Sequence, residues 1–128
     1  MALAWKASFE TGIEDVDLQH HYFVNLVNRV STDLCTTTDP EYRERLVNEL
    51  INYAHFHFVS EENIAYSKGF HEELDNHRQR HTQLLIDLRE KATRMLEGAS
   101  SPEDFLEFLY GWFAGHTLNE DRTFFAAK

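Results

Sequence analysis

The sequence predicts an all-α fold, an up-down-up-down four-helix bundle with an N-terminal arm. The chain has 128 residues but only five glycines and two prolines, so it is poor in the residues that interrupt helices. Its apolar residues recur at steps of three and four over long stretches, which is the period of a helix buried along one face. Helices of about 20 residues joined by short turns most simply form such a bundle.

Turn signals divide the chain into one arm and four helices. Asp39-Pro40 and Ser101-Pro102 each place a capping side chain before a proline at the first helical position. Gly69 and Gly98 mark further interruptions. We therefore expect a single domain over residues 1–128, with the arm at about 1–16 and helices at about 17–36, 40–67, 71–97 and 101–119.

Composition and charge exclude several classes of protein. The formal net charge of −10 disfavours nucleic acid and anionic membrane surfaces as partners. No apolar run approaches the roughly 18 residues of a membrane helix, so membrane insertion is not expected. Cys35 is the only cysteine, which rules out an internal disulfide, and the first residues do not resemble a secretory signal. A cytoplasmic protein is the prediction.

Polar residues interrupt the apolar faces of the predicted helices in pairs. On the second helix His57 and Glu61 lie one turn apart, and on the third His77 and His81 do the same. Both pairs continue the inward stripe of apolar residues on their helix. The predicted core therefore contains three imidazoles and a carboxylate from these two helices alone.

The first and fourth helices each add an inward histidine, His20 and His116. Any one of the five histidines is more simply explained as a core residue bonded to a backbone carbonyl. All five together with Glu61 need more acceptors than an apolar core offers, and an unpaired buried carboxylate costs several kcal/mol. Six such ligands exceed one tetrahedral zinc site, which favours two carboxylate-bridged ions. Ligand type leaves iron, manganese and zinc open.

The order and spacing of these residues resemble those of the hemerythrin family over nearly the whole chain. The motifs that carry the resemblance are Trp5 in the arm, Asp17-Leu18-Gln19-His20, His57-Phe58-Val59-Ser60-Glu61-Glu62, the pair His77 and His81, and Trp112 followed by His116 and Asp121. No glutamate is followed three residues later by a histidine, so the Glu-x-x-His motif of ferritin-like sites is missing from the sequence.

The resemblance implies two non-haem irons with an oxo or hydroxo bridge, and it implies which residues bind each iron. The implied metal ligands are His77, His81 and His116 on one iron, His20 and His57 on the other, and Glu61 and Asp121 bridging both. Asp121 enters through the resemblance alone. On a regular helix it would lie about 140° around the axis from His116, so the helix must widen or end between these two residues.

The resemblance further implies O2 as the ligand and a non-enzymatic carrier, store or delivery protein. The residues expected to line the O2 pocket are Phe23, Phe58, Trp112, Phe113 and Thr117. Relatives commonly have an aliphatic residue at the position of Thr117, and a hydroxyl that faces the pocket there would admit water and hasten autoxidation. Two alternatives stay open: an oxygen or redox sensor acting on a protein partner, and an enzyme handling peroxide or nitric oxide. A redox or oxygen-accepting protein partner and a weak peroxidase-type activity are compatible with each.

Overall fold

The computed structural model describes residues 3–126, except for the side chain of His116. A short 3-10 turn, Ala7–Phe9, is followed by α1 Glu14–Thr36, α2 Pro40–Ser67 and α3 Leu74–Leu96. The fourth helix of the bundle comprises α4 Pro102–Tyr110, a π-helical segment Gly111–Leu118, and α5 Asn119–Ala126. The described residues contain helices and no strand, which confirms the predicted four-helix fold. None of the described helices is long and apolar enough to cross a membrane.

Capping side chains set two of the helix starts where the sequence placed them. The Asp39 carboxylate accepts a hydrogen bond from the Glu41 N–H, with Pro40 at the first helical position. The Ser101 hydroxyl accepts one from the Asp104 N–H in the same way, ahead of Pro102. These contacts satisfy N–H groups that a helix start otherwise leaves without partners.

α1 begins at Glu14, three residues before the predicted start at about Asp17. Asp17 lies within the first turn of the helix, and its side chain holds the arm through hydrogen bonds. Its carboxylate accepts hydrogen bonds from the Thr11 N–H and hydroxyl, both at 2.8 Å, and from the Gly12 N–H at 3.2 Å. Gly12 has a φ of +85°, a left-handed conformation that favours glycine.

The predicted end of the fourth helix near Asn119 is wrong, because α5 continues to Ala126. The π-helical segment explains how the helix passes His116. Its backbone hydrogen bonds join residues five apart, so such residues lie about one turn from each other. His116 and Asp121 have this spacing, and the widening expected between them is present up to Leu118.

The apolar interior consists of two clusters. The larger one lies among α1, α2, α3, α4 and the π-helical segment and includes Phe23, Phe58 and Phe113. The smaller one closes one end of the bundle, where Phe124 and Phe125 of α5 meet residues of α1 and α2. The buried polar side chains contact both clusters, since the ring of Phe124 stacks on His77 and that of Phe58 stacks on His81.

Phe124→Ala tests the importance of α5 for the fold. Phe124 is 7% exposed and its ring centroid lies 4.1 Å from that of His77, so truncation should destabilise the protein by about 3 kcal/mol. Phe56→Ala is the matched control, because Phe56 is 58% exposed and should change stability by less than about 0.5 kcal/mol. Urea unfolding measures both. Equal effects of the two substitutions would contradict the packing of α5 described above.

Candidate metal centre

Glu61 lies at the centre of the buried polar group. It is fully buried on α2 and faces imidazoles from three helices. Its Oε1 lies 2.6 Å from Nε2 of His77 and 3.2 Å from Nε2 of His81. Its Oε2 lies 3.2 Å from Nε2 of His57 and 3.7 Å from Nε2 of His20. One carboxylate thus presents one oxygen to the α3 histidines and the other to His20 and His57.

Asp121 repeats this arrangement from α5 with 2% of its surface exposed. Its Oδ2 lies 2.8 Å from Nε2 of His20 and 3.7 Å from Nε2 of His57. Its Oδ1 lies 3.3 Å from Nε2 of His77. Both carboxylates therefore lie between the same two sets of imidazoles. In each case the two oxygens are divided between the two sets.

This division defines two overlapping groups of possible metal ligands. In each group, ligand atoms of all four members lie within 4.8 Å of one another; the groups are His20, His57, Glu61 and Asp121, and Glu61, His77, His81 and Asp121. Each group combines two imidazoles with two carboxylates and lacks a thiolate. Such nitrogen and oxygen donors suit iron, zinc and manganese.

Several of the inward-facing atoms have no hydrogen bond. Nε2 of His57, Nε2 of His81 and Oε2 of Glu61 are buried without a hydrogen-bond partner, and each of the two nitrogens lies 3.2 Å from an oxygen of Glu61. Buried polar atoms without partners destabilise a fold by about 1–3 kcal/mol each. A metal ion bonded to these atoms would remove that cost, so the donor set fits a metal centre.

The imidazoles and carboxylates of this site also shift one another's pKa values. Burial would lower the pKa of His20, but the hydrogen bond to Asp121 and the negative charges of Asp121 and Glu61 outweigh it and raise the pKa to about 9. The same opposing causes raise the pKa of His77 to about 9. Burial acts to raise the pKa of Glu61, yet its four imidazole neighbours hold it well below the ordinary value. Without metal, two protonated imidazoles therefore compensate the buried carboxylates.

Two of the histidines are held by hydrogen bonds on the side away from the carboxylates. Nδ1 of His57 donates to Oε1 of Gln19 at 2.7 Å, and Nδ1 of His81 donates to Oε2 of Glu62 at 2.8 Å. Such partners fix the tautomer, because a proton on Nδ1 leaves the Nε2 lone pair facing inward. Helical periodicity alone does not place Glu62 against His81. Its contact with α3 is tertiary and leaves no trace in the periodicity of α2.

Aromatic side chains surround the imidazoles on the core side. Phe58 stacks on His81 with ring centroids 4.1 Å apart, and Phe23 lies edge-on to His57 at 5.8 Å. Phe113 contacts Phe23 at 4.6 Å. The indole N–H of Trp112 donates to the backbone carbonyl of Leu84 at 2.9 Å, so this hydrogen is already bonded within the protein.

Thr117 is the polar member of the predicted pocket lining. It is 1% exposed, and its hydroxyl has no hydrogen-bond partner. It lies in the π-helical segment directly after His116. A buried hydroxyl without a partner is uncommon and destabilising.

The structure brings together six of the seven residues that the sequence analysis nominated as metal ligands. They are His20, His57, Glu61, His77, His81 and Asp121. The seventh, His116, belongs to the π-helical segment, and its side chain lies outside the described residues. Sequence reasoning missed Phe124, which stacks on His77 at 4.1 Å. The consecutive Phe124-Phe125 near the end of the chain was the available signal, since exposed helix ends rarely carry two large aromatic side chains.

A helical bundle that gathers these side chains belongs to the class of metal-binding proteins with a histidine-rich, carboxylate-linked site. The family model of the hemerythrin HHE cation binding domain matches residues 11–127 of this chain. The chain therefore belongs to the hemerythrin family.

Relatives of this chain include several bacteriohemerythrins. The bacteriohemerythrin of Clostridium acetobutylicum is 25% identical over 125 residues, which cover 94% of this chain and 96% of that protein. Those of Pseudomonas aeruginosa and Pseudomonas paraeruginosa are each 24% identical over 119 residues, covering 93% of this chain and 76% of the relative. The resemblance noted in the sequence is thus confirmed at low identity over most of the chain.

Metal uptake should release protons and become tighter as the pH rises from 7 to 9. The cause is that His20 and His77, with pKa values of about 9, carry protons below that pH, and the metal must displace them. Anaerobic calorimetric titration with Fe(II) in buffers of different ionisation enthalpy measures the proton release. An affinity that does not change between pH 7 and 9 would contradict these two pKa values.

The metal-free protein should show the opposite trend with pH. The raised pKa values stabilise the fold fully below the unfolded pKa of about 6.5, and this stabilisation is lost as the pH rises through about 9. Urea unfolding of the metal-free protein at several pH values measures this loss.

Proposed function

We propose that this protein holds two non-haem irons and binds O2 reversibly, as an oxygen carrier, store or delivery protein. The observation that carries the proposal is that both Glu61 and Asp121 divide their oxygens between two sets of imidazoles. A carboxylate placed in this way suits a bridge between two ions, whereas a single ion would draw both oxygens to one side.

The proposed ligands divide unequally between the two irons. His77, His81 and, by the family pattern, His116 belong to one iron, and His20 with His57 belongs to the other. Glu61 and Asp121 serve both. With three imidazoles holding one iron and two holding the other, the second iron would keep a position for O2. When bound, the two irons supply the pair of electrons that reversible O2 binding requires.

The chain's own residues favour reversibility by keeping the site dry. Phe23, Phe58 and Phe113 are each at most 1% exposed and present only apolar surface. The N–H of Trp112 is bonded to a backbone carbonyl, so it does not supply a hydrogen to the site. A dry wall slows the entry of protons, and the loss of superoxide or peroxide needs protons.

A location in the cytoplasm fits the single, exposed Cys35, since a reducing compartment does not favour disulfides.

One observation favours the alternative of a redox sensor. The unpartnered, buried hydroxyl of Thr117 would hold a water molecule more readily than an aliphatic side chain does. Faster autoxidation suits a sensor, whose signal is a change of redox state, better than a carrier.

Spectroscopy through repeated cycles of O2 and argon tests the proposal on the reduced, iron-loaded protein. We expect two irons per chain, a visible band of a bridged di-iron centre, and an oxygenated spectrum that returns over several cycles. Glu61→Ala should abolish the binding of two irons, because it removes the fully buried carboxylate shared by both positions. His55→Ala is the matched control, since His55 is exposed on the same helix and should keep both irons.

Each result of this experiment bears on a different part of the proposal. Two irons retained in Glu61→Ala, or lost in His55→Ala, would count against the ligand assignment. A wild-type band that bleaches irreversibly in the first cycle would rule out a carrier and leave the metal centre standing.

Thr117→Val should slow autoxidation several-fold and stabilise the protein by about 1 kcal/mol, because it removes a buried hydroxyl without a partner and keeps the shape of the side chain. Thr93→Val provides the control, since Thr93 is exposed on α3. The decay of the oxygenated spectrum and urea unfolding measure the two effects. An unchanged decay would show that Thr117 does not control the access of water.

A further inference from the structure

The acceptors behind His57 and His81 differ in charge. Glu62 accepts from Nδ1 of His81 as a carboxylate, and its other oxygen lies 3.8 Å from Nε of Arg78. Gln19 accepts from Nδ1 of His57 as a neutral amide. The two histidines stand on opposite sides of the bridging carboxylates, so each proposed iron has one imidazole with a defined outer partner.

The orientation of the Gln19 amide follows from its second contact. Its Nε2 donates to the hydroxyl of Ser60 at 2.8 Å, which leaves Oε1 to accept from His57. The Ser60 hydroxyl can equally donate to a carboxylate at position 19. Glutamate there would fit the same contacts, and the sequence nevertheless has the neutral residue.

A charged acceptor changes the imidazole in front of it. A carboxylate bonded to Nδ1–H draws the proton toward itself and raises the electron density that Nε2 donates to a metal, whereas an amide does so less. Stronger donation stabilises the more oxidised state of iron. The iron bound by His77 and His81 would therefore be the harder of the two to reduce.

We propose that Glu62 and Gln19 are positioning residues that make the two metal positions unequal in reduction potential, with the lower potential on the His81 side. This inference rests on the di-iron function proposed above and specifies how the protein directs electrons within that centre. The iron on the His57 side has the neutral outer partner and fewer imidazoles, and it is the side assigned to O2.

Glu62 also connects the buried site with solvent. It is 22% exposed and lines a cleft of about 340 Å³ between α2 and α3, together with His81, Phe58 and Arg78. The carboxylate therefore reaches from this open cleft to the imidazole of His81. Charge changes in this cleft act on His81 through Glu62, and Arg78 at 3.8 Å moderates its negative charge.

Changing the charge of the residues behind His81 and His57 tests the inference. Glu62→Gln keeps the shape and the acceptor oxygen but removes the charge, so the midpoint potential of the iron-loaded protein should rise. Gln19→Glu adds a charge behind His57, so the potential should fall. Substituting a residue that hydrogen-bonds to a metal ligand typically changes metal affinity by about 10-fold or more. A tenfold change in preference for oxidised over reduced iron is about 59 mV for one electron.

Asp75→Asn is the matched control for the loss of a negative charge. Asp75 lines the same cleft, is 86% exposed and pairs with Arg78, but it does not contact a proposed ligand. Its removal should leave the potential within a small fraction of the Glu62→Gln shift. An equal shift would mean that general charge in the cleft, and not the bond to His81, sets the potential.

A second readout does not depend on iron. In the diamagnetic Zn(II)-loaded protein, the proton resonance of the Nδ1–H of His81 should move upfield in Glu62→Gln. That of His57 should move downfield in Gln19→Glu, because a carboxylate forms the stronger hydrogen bond.

The outcomes separate the two proposals. A wild-type protein that does not bind two irons contradicts the proposed function, whatever the variants do. A wild-type protein with two irons, whose potential is unchanged or moves in the same direction in both variants, overturns the inference about Glu62 and Gln19. If Glu62→Gln loses iron, Gln19→Glu alone decides: a potential that stays constant or rises overturns it.

Discussion

The burial of two carboxylates, Glu61 and Asp121, is the constraint on which the rest of the structure depends. Water does not reach them, so their charges must be balanced within the bundle. The imidazoles that face them come from α1, α2 and α3, while Asp121 itself comes from α5. Each helix must therefore be correct in both rotation and height, because a turn of error in any one of them would leave a carboxylate uncompensated.

The same balance can be met in two ways, by protons or by metal ions. Without metal, protons on His20 and His77 supply positive charge, because both pKa values are raised to about 9. With metal, these protons leave and the ions supply it. Metal ions are therefore not the only source of positive charge for the buried carboxylates, unlike in small zinc domains that need the ion in order to fold.

Helical periodicity and capping residues predicted most of the fold and much of the candidate site. The starts of α2 and α4 followed from Asp39 and Ser101, since a cap is a local interaction between neighbours in sequence. The inward positions of His57 and Glu61 followed because residues four apart share a helix face. In both cases the residues concerned are close together in the sequence, so their spacing is enough to predict the arrangement.

Features that depend on contacts between helices were not predictable in this way. Glu62 follows Glu61 by one residue, about 100° around the helix, and only the position of α3 shows that it meets His81. Phe124 lies beyond the predicted end of the fourth helix, and only the position of α3 shows that it stacks on His77. The place of Asp121 required the resemblance, because regular periodicity puts it on the wrong face, and the π-helical segment corrects this.

The surroundings of the site divide into an apolar side and a polar side, and the two serve different ends. Toward the core, Phe23 and Phe58 contact the imidazoles directly with apolar rings that offer water no hydrogen bond. Toward the surface, Gln19 and Glu62 hold the Nδ1 atoms of His57 and His81. The apolar side limits which molecules and protons reach the proposed irons, whereas the polar side sets the electron density of their ligands. Because different residues carry these two properties, access to the site and its redox potential can change independently by substitution.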